Sequence, residues 1–310
     1  MSPGSPAGPV VFISAGEESG DLHGAALALA LRERLPGVRL LGLGGARMAA
    51  AGVELMAELG DLAVMGFVEV IRHLPFFLDL RNRVFAALER EGVDLVIPID
   101  YPGFNLRLAR HARGRGLPVL YYIAPQVWAW HRSRVRDLAR DADLVAVVLP
   151  FEEEFLRGAG VNARFVGHPL LDRPPLGEGR AEWAYASGLD PARPILGLFP
   201  GSRAQEVRRH LALFSEAARL VVAARPDVQP VIARPDGIAE AVYADAPWPS
   251  IDSAEALLQH ATAALVKSGT TTLEAGIAGT PIVVVYRMAP LSYSLAKRVV
   301  KVPHIALANL

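Results

Sequence analysis

The sequence predicts an α/β protein built from two doubly wound, parallel-sheet, Rossmann-like domains that face each other across a cleft. Three observations predict it. Short apolar, β-rich runs alternate with helix-period stretches along the chain, which is the pattern of parallel βαβ units. The run Asp172-Arg-Pro-Pro-Leu-Gly-Glu-Gly179 breaks both periods and reads as a linker. At 310 residues and 52% hydrophobic content, the chain exceeds what one core usually organises. The expected domains are therefore residues 1–172 and 173–310.

Taken in order, the strands expected in the first half are Val10–Ala15, 39–43, Leu95–Ile99, 119–123 and 144–149. Each is an apolar run short enough for a strand and separated from the next by a helical stretch. The second half restarts with strands at 195–200, Gln229–Ala233, 263–266 and 281–286. In such sheets ligands bind beyond the carboxyl ends of the strands, so the residues following each run are the ones to read for chemistry.

Composition excludes several function classes. Formal net charge is zero, so the global basic field of a nucleic-acid binder is lacking, and no nucleic-acid partner is expected. With no cysteine, disulfides, thiolate nucleophiles and cysteine zinc sites are out, and a reducing compartment fits. The histidines are scattered, and His131 lacks a partner at metal-ligand spacing, so no metal is expected. Residues 1–9 carry neither the basic nor the apolar region of a signal peptide, and no stretch of 18 uncharged apolar residues occurs. A cytoplasmic protein able to touch a membrane is the expectation.

Two loops in the second half carry the strongest signal. Gly201-Ser202-Arg203 follows the apolar run at 195–200, and Lys267-Ser268-Gly269-Thr270-Thr271 follows that at 263–266, with Glu274 three residues on. At a strand-to-helix junction the first amide N–H groups and the positive helix end point at one spot, and small residues let a phosphate approach. Two such junctions read as a diphosphate clamp, with Arg203 a forked donor and Glu274 an acceptor suited to a ribose. The N–H groups of Ser202 and of residues 268–271 are the expected anion donors. An enzyme using a nucleotide diphosphate sugar follows.

The corresponding loop of the first half, Gly16-Glu-Glu-Ser-Gly-Asp21, carries three carboxylates, which would repel a diphosphate. It is expected to face a hydroxyl-bearing acceptor instead. Glu17 and Asp21 equally suit the cap of a helix from Gly20 onward, and the two readings coexist. Asp100 ends the run Asp94-Leu-Val-Ile-Pro-Ile-Asp100. A partly dehydrated carboxylate at that edge has the basicity to take a proton from an alcohol. Its alternative task is to cap a helix starting near Phe104; the strand-end position favours the base.

Other features are open to two readings. Residues 101–136 hold seven arginines and no acid, suited to a phosphorylated acceptor, an anionic bilayer or simply a solvated helix face. Met65-Gly-Phe-Val-Glu-Val-Ile-Arg-His-Leu-Pro-Phe-Phe-Leu78 is an apolar stretch suited to a lipid surface or to core packing. Trp128 and Trp130 suit sugar stacking or core anchoring.

The motifs Ser14-Ala-Gly-Glu-Glu-Ser-Gly-Asp21, Met65-Gly-Phe67, Asp100-Tyr-Pro-Gly-Phe-Asn105, Ala124-Pro-Gln-Val-Trp-Ala-Trp130, Val166-Gly-His-Pro-Leu170, Leu198-Phe-Pro-Gly-Ser-Arg203 and Ser268-Gly-Thr-Thr-Thr-Leu-Glu274, in this order, closely resemble those of the lipid-A-disaccharide synthase family. The resemblance runs from about Val10 to Leu310. It implies a GT-B fold and an inverting transfer from UDP-2,3-diacylglucosamine to 2,3-diacylglucosamine 1-phosphate, giving a β-1,6 disaccharide and UDP. It implies a peripheral enzyme of the inner face of the inner membrane that needs no metal or other cofactor. Carried residue by residue, the base falls on Asp100, the acceptor loop on Glu17, Ser19 and Asp21, the pyrophosphate arginine on Arg203, the ribose carboxylate on Glu274, and a late asparagine on Asn309.

Family members continue past the segment that ends this sequence at Leu310. The resemblance therefore implies that terminal helices returning to the first domain are lacking here and leaves open the homodimer to which that region contributes. Two rivals stay open at this point. One is a UDP-N-acetylglucosamine 2-epimerase-like enzyme sharing the diphosphate clamp; the other is a UDP-sugar or lipid binding protein impaired in catalysis.

Overall fold

The computed structural model describes residues 8–58, 74–128, 132–172, 176–235 and 238–287. The chain forms two compact units, Met1–Pro169 and Leu170–Leu310.

In the first unit seven parallel strands line up in the order β3-β2-β1-β4-β5-β6-β7. They are β1 (Val10–Ala15), β2 (Arg39–Gly44), β3 (Glu54–Glu58), β4 (Leu95–Ile99), β5 (Leu120–Tyr122), β6 (Leu144–Val147) and β7 (Ala163–Phe165). The described helices between them are α1 (Glu18–Arg34), α2 (Ala46–Ala50), α3 (Leu74–Arg90), α4 (Pro102–Gly114), α5 (Arg134–Asp141) and α6 (Pro150–Gly158). Alternation along the strands divides the core between two faces. Phe12 of β1 and Val96 of β4 pack with Leu80, Val84 and Leu88 of α3 and Leu108 of α4. Val11, Ile13, Ile97 and Ile99 pack the other way, with Ala25 and Ala28 of α1 and Met48 of α2. Both faces are thereby covered, as a parallel sheet requires.

The second unit repeats the plan with five parallel strands in the order β10-β9-β8-β11-β12. These are β8 (Ile195–Phe199), β9 (Gln229–Ala233), β10 (Ser250–Ile251), β11 (Ala263–Lys267) and β12 (Ile282–Val285). The described α-helices are α7 (Arg180–Ala186), α8 (Ala204–Ala224), α9 (Ala254–His260) and α10 (Thr271–Ala278). Ile195 and Phe199 pack with Trp183 and Leu257, while Leu196 and Leu198 pack with Val207, Phe214 and Ala218 of α8.

The nine strands expected from the sequence are all present, with ends shifted by two residues at most. Three were not expected: β3, β7 and β10, each the outermost strand on its side of a sheet. An edge strand pairs on one side and needs little apolar content, so its sequence is weakly marked. β3 reads Glu-Leu-Met-Ala-Glu and β10 is two residues long.

Topology locates the site in each unit. In the first sheet the order reverses at β1, which lies between β2 and β4; in the second it reverses at β8, between β9 and β11. Such switch points open a crevice past the carboxyl ends of the two strands.

Candidate functional site

In the first unit the switch point is bounded by the residues after β1 and after β4, Gly16-Glu17 and Asp100-Tyr101. The backbone there is unusual. Asp100 and Tyr101 both have positive φ, 42° and 44°, as does Ile123 at 60° after the neighbouring strand β5. Non-glycine residues avoid this region, and a β-branched one most of all. The turn is held from several sides. Asp100 N–H donates to the carbonyls of Tyr122 and Ile123 at 3.3 and 3.2 Å, and its own carbonyl accepts from Tyr121 Oη at 2.7 Å and Asn105 Nδ2 at 3.0 Å. Asn105, fully buried, also donates to the carbonyls of Ile99 and Ser14 and accepts from Ser14 Oγ at 2.7 Å.

Tyr101, not Asp100, is the N-cap of α4, so the helix-cap alternative for Asp100 falls away. The Asp100 side chain has other surroundings. Its residue surface reaches solvent, yet the carboxyl sits among enough protein to lose much of its hydration. Burial pushes its pKa up from 3.8 to about 7, and the negative charge of Glu17 adds to the rise; Glu152 adds too, while the Tyr101 N–H and Arg134 oppose it. That value suits a proton acceptor at neutral pH. Gly16 is needed beside it, because an added Cβ would lie 2.2 Å from Cδ1 of the Tyr101 ring.

The acidic loop divides in role. Glu17 is the N-cap of α1, with no side-chain cap bond, and Glu17 and Ser19 are exposed. Asp21 is different: it is 4% exposed, and its carboxylate accepts from the N–H groups of Gly45, Arg47 and Met48 at 2.7, 3.1 and 3.0 Å. It therefore caps α2, ties α1 to the end of β2, and does not cap its own helix. Glu17 stands closest in influence to Asp100.

In the second unit β8 and β11 are adjacent strands, so the loops Gly201-Ser202-Arg203 and Ser268-Gly269-Thr270-Thr271 leave the sheet side by side. Arg203 is the exposed N-cap of α8, and Thr270 is the N-cap of α10, with Thr271 its first residue and Glu274 in its first turn. Thr272 secures the second loop by donating Oγ1–H to the Gly269 carbonyl at 2.8 Å. Two of the expected anion donors are engaged within the protein. Ser202 N–H donates to Glu206 Oε2 at 3.1 Å, and Ser268 N–H donates to the Val285 carbonyl at 3.2 Å, prolonging the β11–β12 pairing.

Asn309 lies outside the described residues, as do residues 65–73, Trp130 and His131; of the apolar stretch, Leu78 is described and is exposed. Trp128 is a core anchor, 7% exposed, donating its indole N–H to buried Glu152 at 2.9 Å. The arginine-rich stretch is met by acids from outside it: Arg110 pairs with Asp137 and Asp141, Arg113 with Asp143, and Arg115 with Glu89. These three read as ion-paired surface. Among the described residues no three His, Asp or Glu side chains converge on a point where a metal would sit, and no helix is long and apolar enough to cross a membrane.

Sequence reasoning gave no role of their own to Asn105, Tyr121, Glu206 and Lys267. Asn105 carried a usable signal, an amide five residues after a strand-end carboxylate and at the start of a helix. Tyr121 carried none, because its partner is a backbone carbonyl.

Comparison with known proteins shows the family and the fold. A family described as lipid-A-disaccharide synthetase matches residues 11–310. The lipid-A-disaccharide synthase of Acidobacterium capsulatum is 44% identical over 319 residues, covering 97% of this chain and 80% of its own. Among solved structures, the UDP-GlcNAc 2-epimerase of Neisseria meningitidis bound to UDP-GlcNAc aligns with a TM-score of 0.65 at 12% identity, covering 96% of this chain and 88% of that one. The glycotransferase of kitacinnamycin aligns with 0.62 at 17%, covering 95% and 85%. At such identities these two likenesses carry the fold alone, which is the GT-B architecture.

Proposed function

Because the chain belongs to the lipid-A-disaccharide synthase family, we propose that it joins UDP-2,3-diacylglucosamine to 2,3-diacylglucosamine 1-phosphate, forming the β-1,6 disaccharide and releasing UDP. Within that reaction Asp100 is the base. The acceptor's 6-oxygen forms a bond to the donor's anomeric carbon on the face opposite the leaving group. Its proton passes to the Asp100 carboxylate, and the anomeric carbon's bond to the diphosphate oxygen breaks with both electrons going to UDP. Displacement from the opposite face inverts the anomeric centre, and no covalent intermediate arises.

The observation that carries this reading is the state of Asp100, set at a switch point on a constrained turn with its pKa lifted to about 7. A carboxyl near that value takes a proton in the transition state and returns it to solvent at neutral pH. Glu17 and Ser19 are the acceptor-side contacts. Asp21 serves the acceptor loop by fixing α1 against α2. On the donor side Arg203, Gly201 and Ser202 take one part of the diphosphate, Ser268 to Thr271 the other, and Glu274 the ribose; Asn309 is assigned to the donor by family resemblance.

Both substrates carry acyl chains, so the enzyme meets them at a lipid surface, the inner face of the inner membrane. Incubation with both diacyl sugars followed by mass spectrometry tests the proposal. Equimolar disaccharide and UDP are expected, and UDP release without disaccharide, or no product, overturns it.

A further inference from the structure

Glu206 stands at the third helical position of α8, after the N-cap Arg203. A glutamate there ordinarily reaches back to the amide of its own N-cap. This one reaches a residue further, to Ser202 N–H at 3.1 Å, with its other oxygen accepting from Lys267 Nζ at 2.8 Å. Ser202 follows β8 and Lys267 ends β11, so one carboxylate bridges the two loops that frame the switch point.

The arrangement is built for this. Gly201 has φ 148°, and a Cβ there would lie 2.5 Å from Glu206 Cβ, so glycine is what allows the side chain to come up against the loop. Lys267 and Glu206 side chains are 15% and 22% exposed, and the ammonium lies 5.7 Å from the Tyr286 ring centroid. Burial pushes the Glu206 carboxyl up, but Lys267, the Ser202 N–H and Arg203 outweigh it and hold it below the usual range. A shielded ion pair recovers its desolvation cost only in part, which makes it a pair that a better anion can replace. A phosphate oxygen wants what this carboxylate has: a backbone N–H, an ammonium and a nearby guanidinium.

We propose that Glu206 is an internal stand-in for a donor phosphate, keeping the β8–α8 loop and Lys267 in place until the diphosphate takes both over. Lys267 then becomes the cation on the β11 side of the diphosphate, as Arg203 is on the β8 side. The Glu206 carboxylate leaves, because two anions sharing one donor set repel. This inference rests on the donor-loop assignment made above.

Calorimetric titration of UDP into the full chain tests it, with Glu206→Gln, Lys267→Met, Lys267→Arg and the Glu206→Gln/Lys267→Met double variant alongside, and thermal melts to show that each is folded. Glu206→Gln keeps an acceptor for Ser202 but removes the competing charge, and should bind UDP about 3- to 10-fold more tightly. Lys267→Met should bind it about tenfold more weakly or worse, Lys267→Arg within a few-fold of the unsubstituted chain, and the double variant more tightly than Lys267→Met but less tightly than Glu206→Gln. UDP binding that ignores Lys267→Met, or that is unchanged or weaker in a folded Glu206→Gln variant, overturns this inference alone. Failure of the unsubstituted chain to bind UDP overturns the donor-loop assignment, and this inference with it.

Discussion

The Asn105 carboxamide donates to the main-chain carbonyl of Asp100 at 3.0 Å, and with the same nitrogen reaches the carbonyls of Ile99 and Ser14 at 2.9 and 3.1 Å. One buried side chain thus joins the ends of β1 and β4 to the first turn of α4. Its consequence is the left-handed turn at Asp100 and Tyr101, which sets where the carboxylate stands.

Asn105→Ala leaves the Ser14 hydroxyl and several carbonyls buried without that partner. Each such group costs about 1–3 kcal/mol, and a net destabilisation of roughly 2–4 kcal/mol is expected in urea unfolding. Asn105→Asp should be worse, since it turns a carboxylate toward three carbonyl oxygens. Equal stability of the Ala variant and the unsubstituted chain would show that the turn holds without Asn105.

Asp100→Asn should lower turnover by about 10²- to 10⁴-fold with UDP binding retained in calorimetry. It should also change stability in a pH-dependent way. The folded pKa, about 7, is above the ordinary 3.8, so folding is penalised where the carboxyl must be charged. That penalty is full above about pH 7, shrinks as pH falls, and is absent below about pH 4. The variant should therefore melt higher than the unsubstituted chain at alkaline pH, with the gap closing toward pH 4.

If Asp100 acts as base, kcat/KM falls on the acid side with a midpoint near 7, the value burial and Glu17 produce. Glu17→Gln removes one of the two leading causes of the rise, so the midpoint should move to lower pH. A profile that stays in place in the Gln variant, while turnover is measurable, would separate Glu17 from Asp100.

Arg203→Ala should weaken UDP binding by about tenfold or more, and Arg203→Lys should recover only part of it, because an ammonium lacks the forked donor geometry. Disaccharide formation at saturating donor should suffer less than affinity does. Unchanged UDP affinity would remove Arg203 from the donor site.

Much of the architecture was legible in the residues alone. Val10–Ala15, Leu95–Ile99 and Gln229–Ala233 were bounded to the residue, because a strand buried on both faces writes its full length as apolar sequence. The motifs that carry the family, and Asp100 as a strand-end carboxylate, were equally local. What the sequence by itself determined was this: two parallel-sheet units, the loops that end their central strands, and the chemical type of the groups placed there. Tertiary structure alone decided which partners those groups take. Asp21 sits in an acidic loop by sequence but spends its carboxylate on three amides of a different helix. Ser202 looked like a ligand donor and already serves Glu206, which Lys267 meets from 61 residues away. The reason is physical: periodicity reports how a segment is buried, whereas a pKa or a hydrogen-bond partner depends on groups that only the strand order brings together.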